Sequence, residues 1–469
     1  MTKTKSLTEG PIFIRLFLFT LPIMATGLLQ VFYNMADHIV VGGYSGDDLA
    51  LAAIGSTGAL TALIVNMLMG LASGSGVIIA QNYGAKDHAN LSRSIHTASA
   101  IAIIGGLLLG TVAFIFAEDL LILMKTKDIL LSRATVYFRI ICIGIPATTI
   151  FNFGAAILRS VGNSKIQLYI LSSTGIINVI LNFFFVLAFG MASEGVALAT
   201  IISQYISAVA VVIILCNWNY PSVKLDLTKI TIHIPSLKRI LRIALPTCLQ
   251  SSLFALSNII IQTGANGLHD LAIAGKTIAS NIDNFVYTAI NSYSHSTTTF
   301  VAQNYGAKKR DRVKKSIIMS AIQVTLIGVV LGQLLLLFGE ELAALFIGAD
   351  DPNKLETIEY SMQVMRLILS IYFMCGIMDM LSGALRGLGN SILPMIIGLI
   401  GVCGIRFIWI FCFFPMEQLH NLTGLYLSYP ITWTFCITAL LIALLFVWRK
   451  NFSEKSPDLK LDISERAKI

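Results

Sequence analysis

The sequence predicts an all-α integral membrane protein with twelve transmembrane helices arranged as two six-helix bundles. Its composition suits a bilayer, because 56% of the 469 residues are hydrophobic and only 12% are charged, whereas soluble domains carry about 25% charged residues. Its apolar runs are long enough to cross the hydrocarbon core as helices. The heptapeptide AQNYGAK, at residues 80–86, returns 222 residues later at residues 302–308, which indicates a duplicated bundle.

The twelve spans follow one another with short polar connections. At about 20 apolar residues per span, we predict helices at residues 12–42, 49–80, 90–116, 131–158, 166–190, 195–217, 237–265, 271–302, 314–338, 355–385, 391–414 and 422–448. Helices are the only structure that fits, because an open sheet leaves unpaired backbone groups in lipid and barrel strands are shorter and alternate in polarity. The first run is too long for a signal-peptide core and lacks a cleavage site, so we expect it to be retained.

The distribution of basic residues predicts how the chain is oriented. With the N-terminus inside, 25 of the 33 lysines and arginines fall on the inner side, in agreement with the positive-inside rule. The outer connections are instead acidic, and they hold Asp47, Asp48, Glu118, Asp119, Glu194, Asp270, Glu340, Glu341, Asp350, Asp351 and Glu417. Both termini are therefore predicted to be cytoplasmic, and the net charge of +8 reflects topology rather than a nucleic-acid partner.

The internal repeat predicts the symmetry of the two halves. Six spans return the chain to the side on which it started, so the halves are related by a pseudo-twofold axis along the membrane normal. Matching segments include Leu21-Pro22 with Leu245-Pro246, and LRSVGNS at 158–164 with LRGLGNS at 385–391. The predicted divisions are an N-terminal lobe at 1–216, a cytoplasmic linker at 217–235, a C-terminal lobe at 236–450 and a cytoplasmic tail at 451–469.

Polar side chains lie on one face of several spans, where an aqueous cavity could satisfy them. The longest stripe lies on the eighth span, at steps of four and three residues, and comprises Thr277, Asn281, Asn284, Thr288, Asn291, His295 and Thr298. Packing between helices is the alternative for any single Ser, Thr or Asn, but seven in register favour a wet face. The residues predicted to line a substrate cavity are Gln30, Asn34, Asn258, Gln262, Asn281, Asp283, Asn284, Thr288, Asn291 and His295.

Three acidic residues are predicted to lie within spans, where a charge at the bilayer centre costs about 2.5–3.5 kcal/mol. Asp37 lies late in the first span, on a polar stripe of that helix. It could bind a proton or Na⁺, or it could pair structurally with a neighbouring helix. Asp283 shares a helix face with Lys276, which could partly neutralise it. Asp379, in the tenth span, is the third.

Pro22 and Pro246 occupy matching positions in the first span of each half. A proline removes a backbone hydrogen bond and lets a membrane helix bend, so both are candidates for helix bending, with a static kink as the alternative. The seven cysteines have neither Cys-x-x-Cys spacing nor a histidine at metal-ligand spacing. We expect them to act as small apolar core residues, and the sequence indicates neither a metal site nor a resident cofactor.

Several segments of the chain occur together in one known family. They are the Leu-Pro pair of the first span, YNMAD at 33–37 followed by VVG at 40–42, both AQNYGAK heptapeptides, both LRxxGNS segments, and EGVALAT at 194–200. Their order, duplicated in both halves between about Gly10 and Lys450, resembles that of the multidrug and toxic compound extrusion (MATE) transporters of prokaryotic type.

The resemblance implies two six-helix lobes around a cleft, alternating access, and secondary active export of organic cations and drugs in exchange for H⁺ or Na⁺. It implies a plasma (inner) membrane location in a bacterium, and small-molecule drugs and the lipid bilayer as partners. The protein is then expected to function as a monomer, without enzymatic activity and without a cofactor other than the coupling ion.

The resemblance also implies a cation-coupling site in the first lobe, whose residues match Asp37, Asn178, Asn182 and Thr200. Asn182 departs from the family pattern, in which an Asp is common, so the choice between H⁺ and Na⁺ stays open. Another branch of the family uses acidic residues in the seventh and tenth spans. The seventh span has none here and Asp379 is displaced by about one turn, so that role is not transferred.

Two other functions remain open from the residues alone. A flippase for lipid-linked sugars has similar bundles but needs a basic cavity for a diphosphate, for which the few candidates are Arg139, Lys276, Arg366 and Arg406. An integral membrane enzyme would need paired acidic motifs for Mg²⁺ or a cluster of His and Asp in an interfacial loop. The sequence shows neither pattern.

Overall fold

The chain is almost entirely helical, as its apolar pattern predicts. The computed structural model describes residues 6–44, 48–348 and 351–452, and none of these residues lies in a β-strand. Asp47, Asp350 and most of the predicted tail lie outside the described residues. By internal packing the chain forms two compact units, Met1–Ala255 and Leu256–Ile469, which are called the N-terminal and the C-terminal unit below.

The N-terminal unit contains the first six predicted spans. Its helices are α1 (Ile12–Tyr44), α2 (Asp48–Gly84), α3 (His88–Ile115), α4 (Ala117–Leu123), α5 (Asp128–Ser160), α6 (Lys165–Phe183), which a π-helical turn at Phe184–Ala188 extends, and α7 (Ser193–Cys216). The next helix, α8 (Ile234–Ala265), belongs partly to each unit, because the division after Ala255 falls inside it. The lobe boundaries around 217–235 stay a prediction.

The C-terminal unit contains the remaining spans. Its helices are α9 (Asp270–Gly306), α10 (Arg310–Leu337), α11 (Gly339–Ala344), α12 (Lys354–Leu369), α13 (Phe373–Gly387), α14 (Ile392–Gly398), α15 (Ile405–Ile408), α16 (Leu422–Tyr426) and α17 (Ser428–Phe452). π-Helical stretches at Leu399–Gly404 and Trp409–Phe413 join α14 and α15 into one continuous span.

Twelve helical stretches correspond to the twelve predicted spans. Ten are long and apolar enough to cross a bilayer, and α12 with α13 makes an eleventh. The twelfth is α9, which is 37 residues long but carries the predicted polar stripe and is therefore less apolar than the others. The short helices α4 and α11 were not expected from the apolar pattern, because each is shorter than a span.

The tenth span is broken, although the sequence predicts one continuous helix there. α12 and α13 meet at an angle of 45°. Two glycines of α10 lie against the break: a Cβ at Gly332 would lie 2.5 Å from the carbonyl oxygen of Leu369, and one at Gly328 would lie 3.0 Å from the Cα of Phe373. Close approach of backbones at small residues is a common way to pack membrane helices, and here it accommodates the bend.

α1 packs closely on α6, and this contact positions the end of α1. A Cβ at Gly175 would lie 1.8 Å from the Cζ of Tyr33, so only glycine leaves room for the ring. The Tyr33 hydroxyl donates a hydrogen bond to the carbonyl oxygen of Ser172, 3.3 Å away. One turn further along α1, Asp37 therefore faces the later part of α6.

The two AQNYGAK heptapeptides form the same turn in both units. α2 and α9 end at Gly84 and Gly306, and two residues later Lys86 and Lys308 have φ angles of 57° and 55°. The left-handed residue is thus the lysine in both copies. After the first copy, Asp87 caps α3 by accepting the backbone N–H of Asn90 at 3.0 Å, and this hydrogen bond lowers the pKa of the Asp87 carboxyl.

The connection between α7 and α8 is hydrogen-bonded to residues in the first half of α3. The backbone N–H of Asp226 donates to Nε2 of His96 at 3.2 Å, and that of His233 donates to the Thr97 hydroxyl at 3.1 Å. Val223 and Leu225 of the same connection are buried. The predicted linker is therefore part of the N-terminal unit and packs against α3.

Adjacent glycines on α3 provide a test of this packing. A Cβ at Gly106 would lie 3.0 Å from the Cα of Pro146, whereas nothing lies within 4 Å of one at Gly105. We expect Gly106→Leu to separate α3 from α5 and to destabilise the protein by about 1–3 kcal/mol. Gly105→Leu is the matched control and should melt near the wild-type temperature in detergent. Equal melting temperatures for both variants would contradict this packing.

Candidate functional site

The N-terminal unit contains an open cavity of about 750 Å³. Side chains from α1, α2, α5, α6 and α7 line it. A volume of this size falls within the range of about 300–1,000 Å³ that is usual for sites that bind drug-sized molecules. The cavity can therefore hold a small organic molecule within a single unit.

The wall of this cavity combines polar side chains with apolar surface and has few groups that can carry a charge. Amide, hydroxyl and aromatic side chains line it, namely Gln30, Tyr33, Asn34, Asn66, Tyr137, Thr148, Phe151, Asn152, Asn178, Thr200 and Gln204 among others. Asp37 and His38 also line it, and among the described lining residues there is no lysine, arginine or glutamate. With His38 neutral, the Asp37 carboxylate gives the wall its negative charge.

The Asp37 carboxylate is held by residues of two neighbouring helices. The Nδ2 of Asn182, on α6, donates a hydrogen bond to Asp37 Oδ1 at 2.5 Å, and the Thr200 hydroxyl, on α7, lies near the same carboxylate. The Nδ2 of Asn178 lies 3.4 Å from the Thr200 hydroxyl. Asn182 Nδ2 also lies 3.4 Å from Asn178 Oδ1. The four residues matched to the cation site of the resembling family thus form one cluster.

The periodicity of α6 explains why its two amides reach the same point. Asn178 and Asn182 are four residues apart and so share a helix face, which turns inward since Asn182 has 0% of its surface exposed. On the same face, Thr174 accepts a hydrogen bond from Ser207 of α7 at 2.9 Å. α6 is therefore fixed to α7 as well as to α1.

The cluster offers oxygen atoms that suit a small hard cation. The Oδ1 of Asn182 is buried and accepts no hydrogen bond from the described residues. The Asp37 carboxylate and the Thr200 hydroxyl belong to the same cluster. Rotation of the Asn182 amide would bring that oxygen toward the carboxylate, an arrangement that favours a cation between them. Carboxylate, amide and hydroxyl oxygens are ligands of hard cations, and a carboxylate can alternatively take up a proton. The geometry fits either ion.

The predicted cavity residues of the C-terminal unit lie apart from this cluster in the chain and have varied surroundings. Asn258, Asn281 and Asn284 are exposed, and Asp283, Thr288 and His295 are partly buried. Gln262 accepts a hydrogen bond from the Lys276 ammonium, and among the described residues no ion pair joins Lys276 to Asp283 within 4 Å. A role for these residues in binding a substrate stays a prediction.

Asp379 and Asn291 form a buried pair that the sequence did not reveal. Asn291 Nδ2 donates to Asp379 Oδ2 at 2.9 Å, and Asp379 is 6% exposed. Ser294 donates to the backbone carbonyl of Asp379 at 2.8 Å and accepts from Arg386 at 2.9 Å. The stripe on the eighth span contains Asn291, but its partner on α13 depends on how the helices pack.

The sequence also missed the contributions of α2 and α5 to the cavity. Thr57, Thr61 and Asn66 of α2 line it, as do Tyr137 and Asn152 of α5. The signal in the sequence was weak, because the polar residues of α2 are few and small and are separated by apolar ones. Only the convergence of five helices brings these side chains together.

The two prolines proposed for helix bending lie inside long helices. Pro22 falls within α1 and Pro246 within α8, and each helix continues through its proline. The Thr26 hydroxyl donates to the carbonyl oxygen of Pro22 at 2.7 Å. Bending at these positions stays a prediction.

The chain is similar to known proteins over nearly its whole length. The MatE family model matches residues 22–184 and 246–412, one region in each half. The chain is 27% identical over 443 residues to the probable multidrug resistance protein YoeA of Bacillus subtilis, covering 92% of this chain and 94% of the relative. It is 26% identical over 391 residues to the probable multidrug resistance protein NorM of Thermotoga maritima, covering 81% of each chain.

A solved structure gives the same result for the fold. The outward-facing conformation of a multidrug resistance MATE family transporter superposes with a TM-score of 0.84 at 20% identity, covering 100% of both chains. At this identity the likeness concerns the fold alone. The predicted all-α membrane fold with two six-helix lobes is confirmed.

A double-mutant cycle tests the bond between Asp37 and Asn182. Asn182→Leu removes the amide donor from a buried carboxylate, so we expect it to lower the free energy of unfolding. In combination with Asp37→Leu, which removes the acceptor, the coupling free energy should reach about 1.5–3 kcal/mol, as for hydrogen bonds to charged groups. Asn152→Leu, which changes another amide of the cavity wall, should be additive with Asp37→Leu. Additivity of Asn182→Leu as well would show that the bond contributes nothing, and unfolding in detergent gives each value.

Proposed function

The chain belongs to the MatE family, and from that membership we propose that it is a secondary active multidrug efflux transporter. It is a multi-pass membrane protein that exports organic cations and drugs, exchanging them for H⁺ or Na⁺ by alternating access. The observation that carries this proposal is Asp37, the one carboxylate among the described residues that line a drug-sized cavity. The relatives YoeA and NorM, both described as probable multidrug resistance proteins, support it.

The chemistry of the cavity favours cationic, partly aromatic substrates. A positive charge on the substrate is attracted by the Asp37 carboxylate, and this attraction is stronger inside a low-dielectric cavity than in water. The rings of Tyr33, Tyr137 and Phe151 provide apolar contacts and π faces for such a molecule. Amide and hydroxyl groups around them accept or donate hydrogen bonds to substrates of different shapes.

Coupling follows when the ion and the substrate use the same carboxylate. A proton or Na⁺ at Asp37 neutralises the charge that attracts the cationic substrate, so ion binding favours release of the substrate. Asn182 supplies an amide where relatives with an aspartate would supply a second carboxylate, so the site balances one positive charge. We propose exchange of one coupling cation at this site, with both termini in the cytoplasm and the monomer as the working form.

The alternative functions fit the chain less well. A flippase for lipid-linked diphosphates needs a basic cavity, but no described residue lining the cavity of the N-terminal unit is a lysine or an arginine. Of the basic candidates, Arg139 pairs with Glu118 at 3.7 Å and Arg366 is exposed. The family consists of transporters, which argues against an enzyme.

Transport in proteoliposomes tests the proposal directly. Uptake of a cationic dye into vesicles should follow an imposed H⁺ or Na⁺ gradient, applied one at a time, and Asp37→Asn should abolish the gradient-driven component. Asp119→Asn, which removes an exposed carboxylate of α4 that does not line the cavity, should retain it. A wild-type protein that moves the dye equally with and without both gradients would refute the proposal.

The charge of the cavity wall should determine the affinity for cations. His38 lines the cavity next to Asp37 in sequence and is exposed, so His38→Lys places a permanent positive charge in the same wall. We expect the affinity for a cationic dye to fall about tenfold at pH 8, and His38→Gln, which adds no charge, should bind as the wild type does. Fluorescence polarisation with purified protein measures both, and unchanged binding by His38→Lys would contradict the electrostatic model.

A further inference from the structure

Arg406 is a buried charge that the proposed function leaves unexplained. It lies in α15, within the eleventh span, and is 4% exposed. Among the described residues no carboxylate lies within 4 Å of its guanidinium. A charged side chain inside a membrane is costly and generally marks a functional or structural requirement.

The guanidinium is held by an aromatic face and a hydroxyl. Its central carbon lies 4.1 Å from the ring centroid of Tyr429, and its Nη1 donates to the Ser257 hydroxyl at 3.1 Å. Ser257 donates in turn to the carbonyl oxygen of Val402 at 3.1 Å. Tyr429 stacks on Tyr426 with ring centroids 5.3 Å apart. An aromatic face attracts a cation without carrying a negative charge itself.

The internal repeat aligns the residues around Arg406 with the residues around Asp37 in the other half of the chain. The Leu-Pro register aligns Asp37 with Ile261, four residues after Ser257. The glycines near the starts of α7 and α16, Gly195 and Gly424, align Thr200 with Tyr429.

The segment that corresponds to α6 in the second half is the eleventh span, which contains α14 and α15. The Asn-Ser pairs before α6 and α14 align Asn178 with Ile405, and the π-helical stretch Leu399–Gly404 accommodates one extra residue. Asn178 then corresponds to Arg406. The elements that surround the coupling cation in the N-terminal unit thus surround a guanidinium in the C-terminal unit.

We propose that Arg406 is a built-in cation: the C-terminal unit fills with its own side chain the position at which the N-terminal unit binds the coupling ion. This inference rests on the proposed function for the comparison with Asp37. Ile261 replaces the carboxylate, so a free cation would lack the direct carboxylate contact that Asp37 offers, and the tethered guanidinium cannot leave. Arg406 is a positioning residue. Its guanidinium keeps the helices of the C-terminal unit packed as they would be around a bound cation, while ion binding and release take place at Asp37.

Substitutions that separate charge from size test this role. Arg406→Gln keeps much of the side chain without the charge and should reduce gradient-driven dye transport by about tenfold or more, while Arg406→Lys should retain most of it. Arg406→Ala should lose transport, and millimolar guanidinium should restore it in a saturable manner. Urea, which has a similar shape but no charge, should not. Transport by Arg406→Gln at the wild-type rate, or equal rescue by urea, would overturn the proposal.

The melting temperature provides a readout that does not depend on transport. Guanidinium should raise the melting temperature of Arg406→Ala with saturation and leave that of the wild type unchanged at the same concentrations. If the melting temperature of folded Arg406→Ala did not rise with saturation as guanidinium is added, the proposal of a built-in cation would be overturned. If the wild type showed no gradient-driven transport, the proposed function would fail, whereas this thermal measurement would still decide whether the site holds a cation.

Discussion

A carboxylate inside a bilayer needs hydrogen-bond donors around it, and this requirement at Asp37 organises the N-terminal unit. α6 supplies Asn182 and α7 supplies Thr200, so three helices have to meet at one point. The contact of Tyr33 with Gly175 brings α1 close enough for this. The cavity is the space that these helices, together with α2 and α5, leave open beside the carboxylate.

The two halves share a similar arrangement of helices and turns, but their interior charged side chains have different surroundings. The left-handed lysines Lys86 and Lys308 close the same turn in both copies, where the structural demand is on the backbone alone. Inside the bundles, the N-terminal unit exposes its carboxylate to a cavity. The C-terminal unit instead buries Asp379 against Asn291 and Arg406 against Tyr429. Duplication thus preserved the frame, and the interior residues diverged.

Much of the fold was predictable because span length and apolar composition depend on the bilayer and not on tertiary contacts. The bend in the tenth span was not, because it arises where Gly328 and Gly332 of another helix approach the backbone. At the candidate site, the polar stripe on α1 indicated Asp37, and the family resemblance added Asn178, Asn182 and Thr200. The polar residues of α2 and α5 carried no comparable pattern, and only the packing of five helices places them in the cavity.

The hydrogen bonds that hold the connection between α7 and α8 against α3 limit the freedom of that segment to move. A flexible tether of its length would tolerate insertions at little entropic cost. Here the backbone hydrogen bonds of Asp226 and His233 to α3 leave no slack before α8 begins. The segment therefore acts as a fixed spacer. A protease site or epitope tag that replaces the buried Val223 and Leu225 would disturb α3, whereas one at exposed Thr231 and Ile232 would lie on the surface.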